Sequence, residues 1–328
     1  MKKLLLLSAL LIFACGFSQG DQLYADGVAT DQDGNQFEWI NYGTQDWAIE
    51  NAKVVTYRDG TPIPQVTDAN EWSNLTTDAW AYYDNDPTKP ILYNGYAAMG
   101  IYDSASLSDA SLRKEFAPEG WHVPTETEWI TLKNYLIANG YNYDGTTTEN
   151  NIAKAMASTT GWNSSDTVGA PGNDLNLNNS SGFNTFPEGQ RSNVGSFISE
   201  GIKALFWSST EGIPLNGFFN ILSHDFSGLV SSYQGKKFGH SVRFVRDAQP
   251  ASVEDNSMYN FKIFPNPTKE YLNIYCSSLE SVSIYNILGK ELIRDSGNRI
   301  NVSSLSKGVY FIKVSDGIKS STKRFVKN

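Results

Sequence analysis

Gly120-Trp121-His122-Val123-Pro124-Thr125-Glu126-Thr127-Glu128-Trp129 is the stretch on which the fold turns. Thr125, just after Pro124, can cap a helix with its hydroxyl. Glu128 stands three residues on, where its carboxylate can return to the cap's own N–H. Trp129, Leu132 and Leu136 then recur on one face, and Asn139-Gly140 ends the run. One well-bounded helix follows, and the only other helical signal is the short, Ala-rich Ile152 to Ala157. Outward from it, the chain reads as short strands between polar loops. Gln36-Phe37-Glu38-Trp39-Ile40 alternates after the turn Asp31-Gln32-Asp33-Gly34, and Lys53-Val54-Val55-Thr56-Tyr57 reads likewise before Arg58-Asp59-Gly60. Phe206 to Thr210, Gly217 to Leu222 and Ser241 to Arg246 complete an antiparallel set. Few helices, many short strands and long loops predict an α+β body over 21–247.

Near residue 250 the character changes. Asp247-Ala248-Gln249-Pro250-Ala251-Ser252 is polar and carries a proline, and all eight tryptophans lie before it, between positions 39 and 207. Residues 20–250 hold 13 Lys/Arg against 28 Asp/Glu, or −15, whereas residues 251–328 hold 11 against 7, or +4; Lys2 and Lys3 complete the net −9 of the 328-residue chain. A linker at 248–257 and a second domain at 258–328 are expected. The second domain alternates in short runs, 272–275, 282–285, 309–314 and 323–326, with Gly or Asn turns, which predicts a small β-sandwich of the immunoglobulin-like kind. An acidic main body repels phosphates, so nucleic acid is not an expected partner.

Lys2-Lys3 and the apolar run Leu4 to Ala14 form a charged start and an eleven-residue hydrophobic stretch, too short to span a bilayer. This reads as a signal peptide over 1–18, cut before Gln19. A second reading takes Ile12-Phe13-Ala14-Cys15 as a lipobox with Cys15 lipidated, although the bulky Phe13 fits it poorly. No transmembrane segment is expected. Only two cysteines occur, Cys15 and Cys276, so the exported chain keeps one and can form no internal disulfide. Cys276 sits in the alternating run Tyr271 to Cys276, as a packing residue does. Stability must rest on packing, to which 42 aromatic residues contribute.

Two family resemblances follow. Ile263-Phe264-Pro265-Asn266-Pro267, Leu272-Asn273-Ile274, Val282 to Lys290 and Leu305 to Val314 closely resemble the type A C-terminal sorting domain of the type IX secretion system. That resemblance implies a Bacteroidota-type envelope, contact with the type IX machinery, and delivery to the surface or medium with removal of the domain. Pro265 and Pro267 would stiffen the entry around Asn266, and Gly289 and Gly308 would supply turns with positive φ. The first body resembles the Fibrobacter succinogenes major paralogous domain. The residues that carry this are Asp33-Gly34-Asn35, Trp47 to Asn51, Tyr57 to Pro64, Gly120 to Trp129, Ser181 to Asn184, Pro187 to Arg191, Phe206 to Glu211 and Ser241 to Asp247. A Pro-Thr-x-x-Glu-Trp helix start, a Trp strand after a long loop and a terminal Val-Arg-Phe-Val-Arg strand also resemble the C-type lectin-like and formylglycine-generating-enzyme group, implying a C-type lectin-like fold. The oxidase cysteines and the lectin's Glu-Pro-Asn calcium signature are absent here.

No catalytic set stands out. His122 with Glu126 and Glu128 invites a metal reading, but Glu128 is committed to the cap. His224 and His240 lack a neighbouring nucleophile motif. Gly172 to Asn179 offers oxygen ligands at alternate positions, as calcium prefers, yet fails the EF-hand template at Asn179 and Thr185, so no metal site is expected; Asn173 and Asp174 are instead candidate ligand-binding residues. Trp80, Tyr82, Tyr83 and Asp84 form an aromatic-acidic cluster that either stacks on sugar faces or packs in a strand, and Trp162 carries the same ambiguity. The leading expectation is a secreted or surface-displayed, non-enzymatic module that binds polysaccharide or another extracellular ligand. A structural or adhesive protein engaging protein partners, and a carbohydrate-active hydrolase, are the alternatives.

Overall fold

The computed structural model describes residues 25–213, 215–248, 261–276, 279–317 and 320–328. The expected signal peptide, Cys15 and most of the linker lie outside them. The chain divides between Ala248 and Gln249 into two compact units, each described by itself below.

Twelve strands build the first unit: β1 (Gly27–Thr30), β2 (Gln36–Tyr42), β3 (Gln45–Ala48), β4 (Trp80–Tyr82), β5 (Ile91–Asn94), β6 (Glu188–Arg191), β7 (Phe197–Glu200), β8 (Lys203–Glu211), β9 (Asn216–Ser223), β10 (Val230–Gly235), β11 (Gly239–His240) and β12 (Val245–Asp247). β1-β2-β3-β12 form one sheet. β10-β9-β8-β6-β11-β5-β4 form the other, with β7 paired to β6. The helices are α1 (Ala69–Ser73), α2 (Gly95–Ala98), α3 (Ser104–Ser108), α4 (Glu126–Ala138) and α5 (Ala153–Met156).

α4 forms as its sequence dictates. Thr125 Oγ1 accepts from the Glu128 N–H and the Glu128 carboxylate accepts from the Thr125 N–H at 2.7 Å, closing both ends of the capping box. Gly140 follows the C-cap at φ 77°, where a side chain would be strained. Trp129, Leu132 and Leu136 are buried, and Trp129 packs on Trp47 with ring centroids 4.7 Å apart. A second core gathers around Tyr93, Phe116, Trp207 and Phe244.

The α+β, C-type lectin-like expectation is overturned. The described residues are mostly β, 36% strand and 14% helix, laid out in several sheets. Among the described residues only α4 exceeds five residues; the other helices are single turns that punctuate loops. Lys53 to Tyr57 is not a strand either, because the N–H groups of Val55 and Thr56 donate to the Asp33 carboxylate instead of to a neighbouring strand. Of Ser241 to Arg246, only the end joins a strand, in β12.

The second unit has β13 (Lys262–Phe264), β14 (Tyr271–Tyr275), β15 (Ser281–Tyr285), β16 (Glu291–Asp295), β17 (Arg299–Asn301), β18 (Gly308–Ser315) and β19 (Ser320–Lys327). Sheets β13-β14-β17 and β16-β15-β18-β19 share a core of Leu272, Ile274, Ile284, Ile312 and Phe325. Gly289 takes φ 79° in the β15–β16 turn, as expected. Gly308 does not serve a left-handed turn: it opens β18 opposite Lys327. Asn266, between the two prolines, accepts from the Val326 N–H at 2.9 Å and donates to the Arg324 carbonyl at 3.3 Å, which ties the motif to the last strand.

Candidate functional site

A cleft of about 770 Å³ opens in the first unit, within the range of small-molecule sites. Its floor is polar. Glu188, at the start of β6, accepts from Ser241 Oγ at 3.0 Å and from Asn51 Nδ2; both bonds fall on Oε2 and neither on Oε1. Arg243 donates through Nε to Asn51 Oδ1 at 2.6 Å, so the amide of Asn51 links the two charges. The guanidinium also donates to the carbonyls of Ala48 at 3.0 Å and Phe183 at 3.3 Å, and lies against the rings of Phe183 and Phe206.

Burial governs the protonation of both groups. It pushes the Glu188 carboxyl up, against the opposing pull of Ser241, Asn51 and Arg243. It brings Arg243 down to about 10, which still leaves a full positive charge at neutral pH. Gly189, next to Glu188, sits at φ 68°, and a Cβ there would fall 2.5 Å from the Ile198 carbonyl oxygen. That position admits only glycine.

The walls mix aromatic, aliphatic and charged groups. Tyr82 and the exposed Phe186 flank the opening, with Lys53 and Glu50 on the lining. Asp33 also lines it, but its carboxylate is taken by the Val55 and Thr56 N–H groups and the Thr56 hydroxyl.

The sequence-derived candidates scatter. Of the aromatic cluster only Tyr82 reaches the cleft. Trp80 is buried, donates to the Ile63 carbonyl at 2.9 Å and meets Tyr82 edge-on. Tyr83 turns inward onto Phe197, because the strand ends there and Asp84 and Asn85 adopt left-handed backbone at φ 55° and 57°. Trp162 is buried in the α4 core and donates to the Thr185 carbonyl.

The loop 172–179 is organised by an internal cation. Lys154 donates to the backbone carbonyls of Asn173 and Asp174 and to Asn178 Oδ1 at 3.0 Å, so an ammonium draws these three oxygens together. His122 bonds to Glu128, while Glu126 accepts from Asn220 at 3.1 Å. The three do not converge, and no group of three metal-ligating side chains occurs among the described residues.

Glu188, Asn51 and Arg243 escaped the sequence reading because 137 residues separate the first two and the fold alone unites them. One signal was present. Arg243 stands between Val242 and Phe244, and a charge in an apolar run needs a buried partner.

A β-rich first unit with a polar-floored cleft, followed by a separate small sandwich, defines a two-unit chain whose parts serve different ends. Residues 40–246 match the Fibrobacter succinogenes major domain, and the chain belongs to that family. Residues 262–328 match the secretion system C-terminal sorting domain. The protein is therefore a type IX secretion cargo, delivered to the surface or the medium through contact with that machinery. A comparison with curated proteins finds no match. No helix among the described residues is long and apolar enough to cross a membrane.

Proposed function

We infer that the first unit is a non-enzymatic binding module that holds an extracellular glycan in the cleft over Glu188. One observation carries this reading: a carboxyl fixed on a single oxygen by Asn51 and Ser241, at the floor of a cavity flanked by Tyr82 and Phe186. Sugar hydroxyls both donate and accept, so a fixed carboxyl with one oxygen unclaimed by its neighbours suits them. The aromatic rings offer flat apolar faces to the sugar's C–H surface. Asp33 is spent on backbone N–H groups and is unsuited to pair with Glu188 as a second acid, while Glu50 also lines the cleft, so the release of reducing sugar is the assay that separates binding from hydrolysis by a pair of acids.

The test is a polysaccharide-binding screen of the exported chain, followed by Glu188→Gln and Phe186→Ala. On the glycan that binds, each variant should weaken affinity by roughly tenfold while melting at the parent temperature. Retention of full affinity by both variants, or release of reducing sugar by the parent, overturns the reading.

A further inference from the structure

The turn between β15 and β16 breaks the usual chemistry of a hairpin tip. Asn286 Oδ1 accepts from the Leu288 and Lys290 N–H groups at 3.0 and 2.9 Å, and Gly289 closes the turn. The scaffold thus holds Ile287 and Leu288 outward, 70% and 87% exposed. Turn tips ordinarily carry polar residues, because water is their only neighbour. Cations outnumber acids around this tip. Lys290 adjoins it. The register Tyr285 opposite Phe311 sends the start of β18 past the end of β15, so Lys307 and the exposed Val309 flank the turn. Neither Lys290 nor Lys307 is in an ion pair among the described residues, whereas the nearby acid Glu291 is taken by Arg294 at 3.0 Å.

We propose that the Ile287–Leu288 tip is a wedge that inserts into an anionic lipid surface, with Lys290 and Lys307 resting on the headgroups. A lipid boundary closes around such a wedge, and the flanking cations match its charge.

Flotation of the chain from Gln19 onward with vesicles of phosphatidylcholine and phosphatidylglycerol tests this. The parent should float with the mixed vesicles and not with phosphatidylcholine alone. Ile287→Ser/Leu288→Ser should lower the bound fraction at least about tenfold. Lys290→Gln/Lys307→Gln should lower it less and flatten its salt dependence. Both pairs are exposed, so circular dichroism should report an unchanged fold. Equal flotation of parent and wedge variant, or no flotation of the parent, overturns the proposal. A change of oligomeric state in the wedge variant also overturns it, by assigning the tip to a contact between copies.

Discussion

Lys154 shows how single residues organise this molecule. Burial lowers its pKa, with Asp174 opposing, and three oxygens of one loop receive its protons. Lys154→Met keeps the volume and strips the donors, leaving those oxygens unsatisfied at about 1–3 kcal/mol apiece. Urea denaturation should show the variant less stable by roughly 3 kcal/mol or more. Because an ammonium fills the loop, excess EDTA should leave the parent's melting temperature unchanged. A fall on chelation would overturn this reading and restore calcium to the first unit.

At the scale of elements, what the sequence disclosed depends on range. The capping box of α4 is a relation among residues three apart, so Thr125, Glu128 and the face of Trp129, Leu132 and Leu136 were legible outright. The strand reading of Lys53 to Tyr57 failed because a carboxylate twenty-two residues away claims its N–H groups, and no local pattern announces that competition. The cleft was illegible for the same reason, as Asn51, Glu188 and Arg243 meet only when the sheets assemble. Tyr82 was legible as an aromatic but not as the lone member of its cluster to face a cavity.

The α4 cap also carries a pH dependence. The bond to Glu128 raises His122 above its ordinary 6.5; burial raises Glu128, but His122 and Thr125 outweigh it and leave the carboxylate below its ordinary 4.5. The raised histidine stabilises the fold fully below about 6.5, and that contribution is lost as pH rises through its folded-state value. The lowered carboxylate contributes above about 4.5 and is lost on acidification. The melting-temperature gap between parent and His122→Gln should therefore be widest between about pH 5 and 6.5 and should narrow toward pH 8.5. A gap that does not vary with pH would show that the two groups are not coupled in this way.

For the whole molecule, the division at Ala248 separates a cargo from its export signal. Deleting residues 258–328 should leave the first unit folded in the periplasm, as cell fractionation would show. Surface delivery of the truncated chain would remove the sorting role. The cargo must then hold its loops together once outside. Arg243 gathers the carbonyls of Ala48 and Phe183. Arg191, packed on Trp72, gathers those of Val66 and Thr67, and Arg58 those of Ala117, Pro118 and Trp121. These are fastenings between distant loops, made where small exported proteins ordinarily use cystines. Among the described residues Cys276 is a free thiol, so a thiol reductant should leave these guanidinium rivets, and the shape they secure, intact.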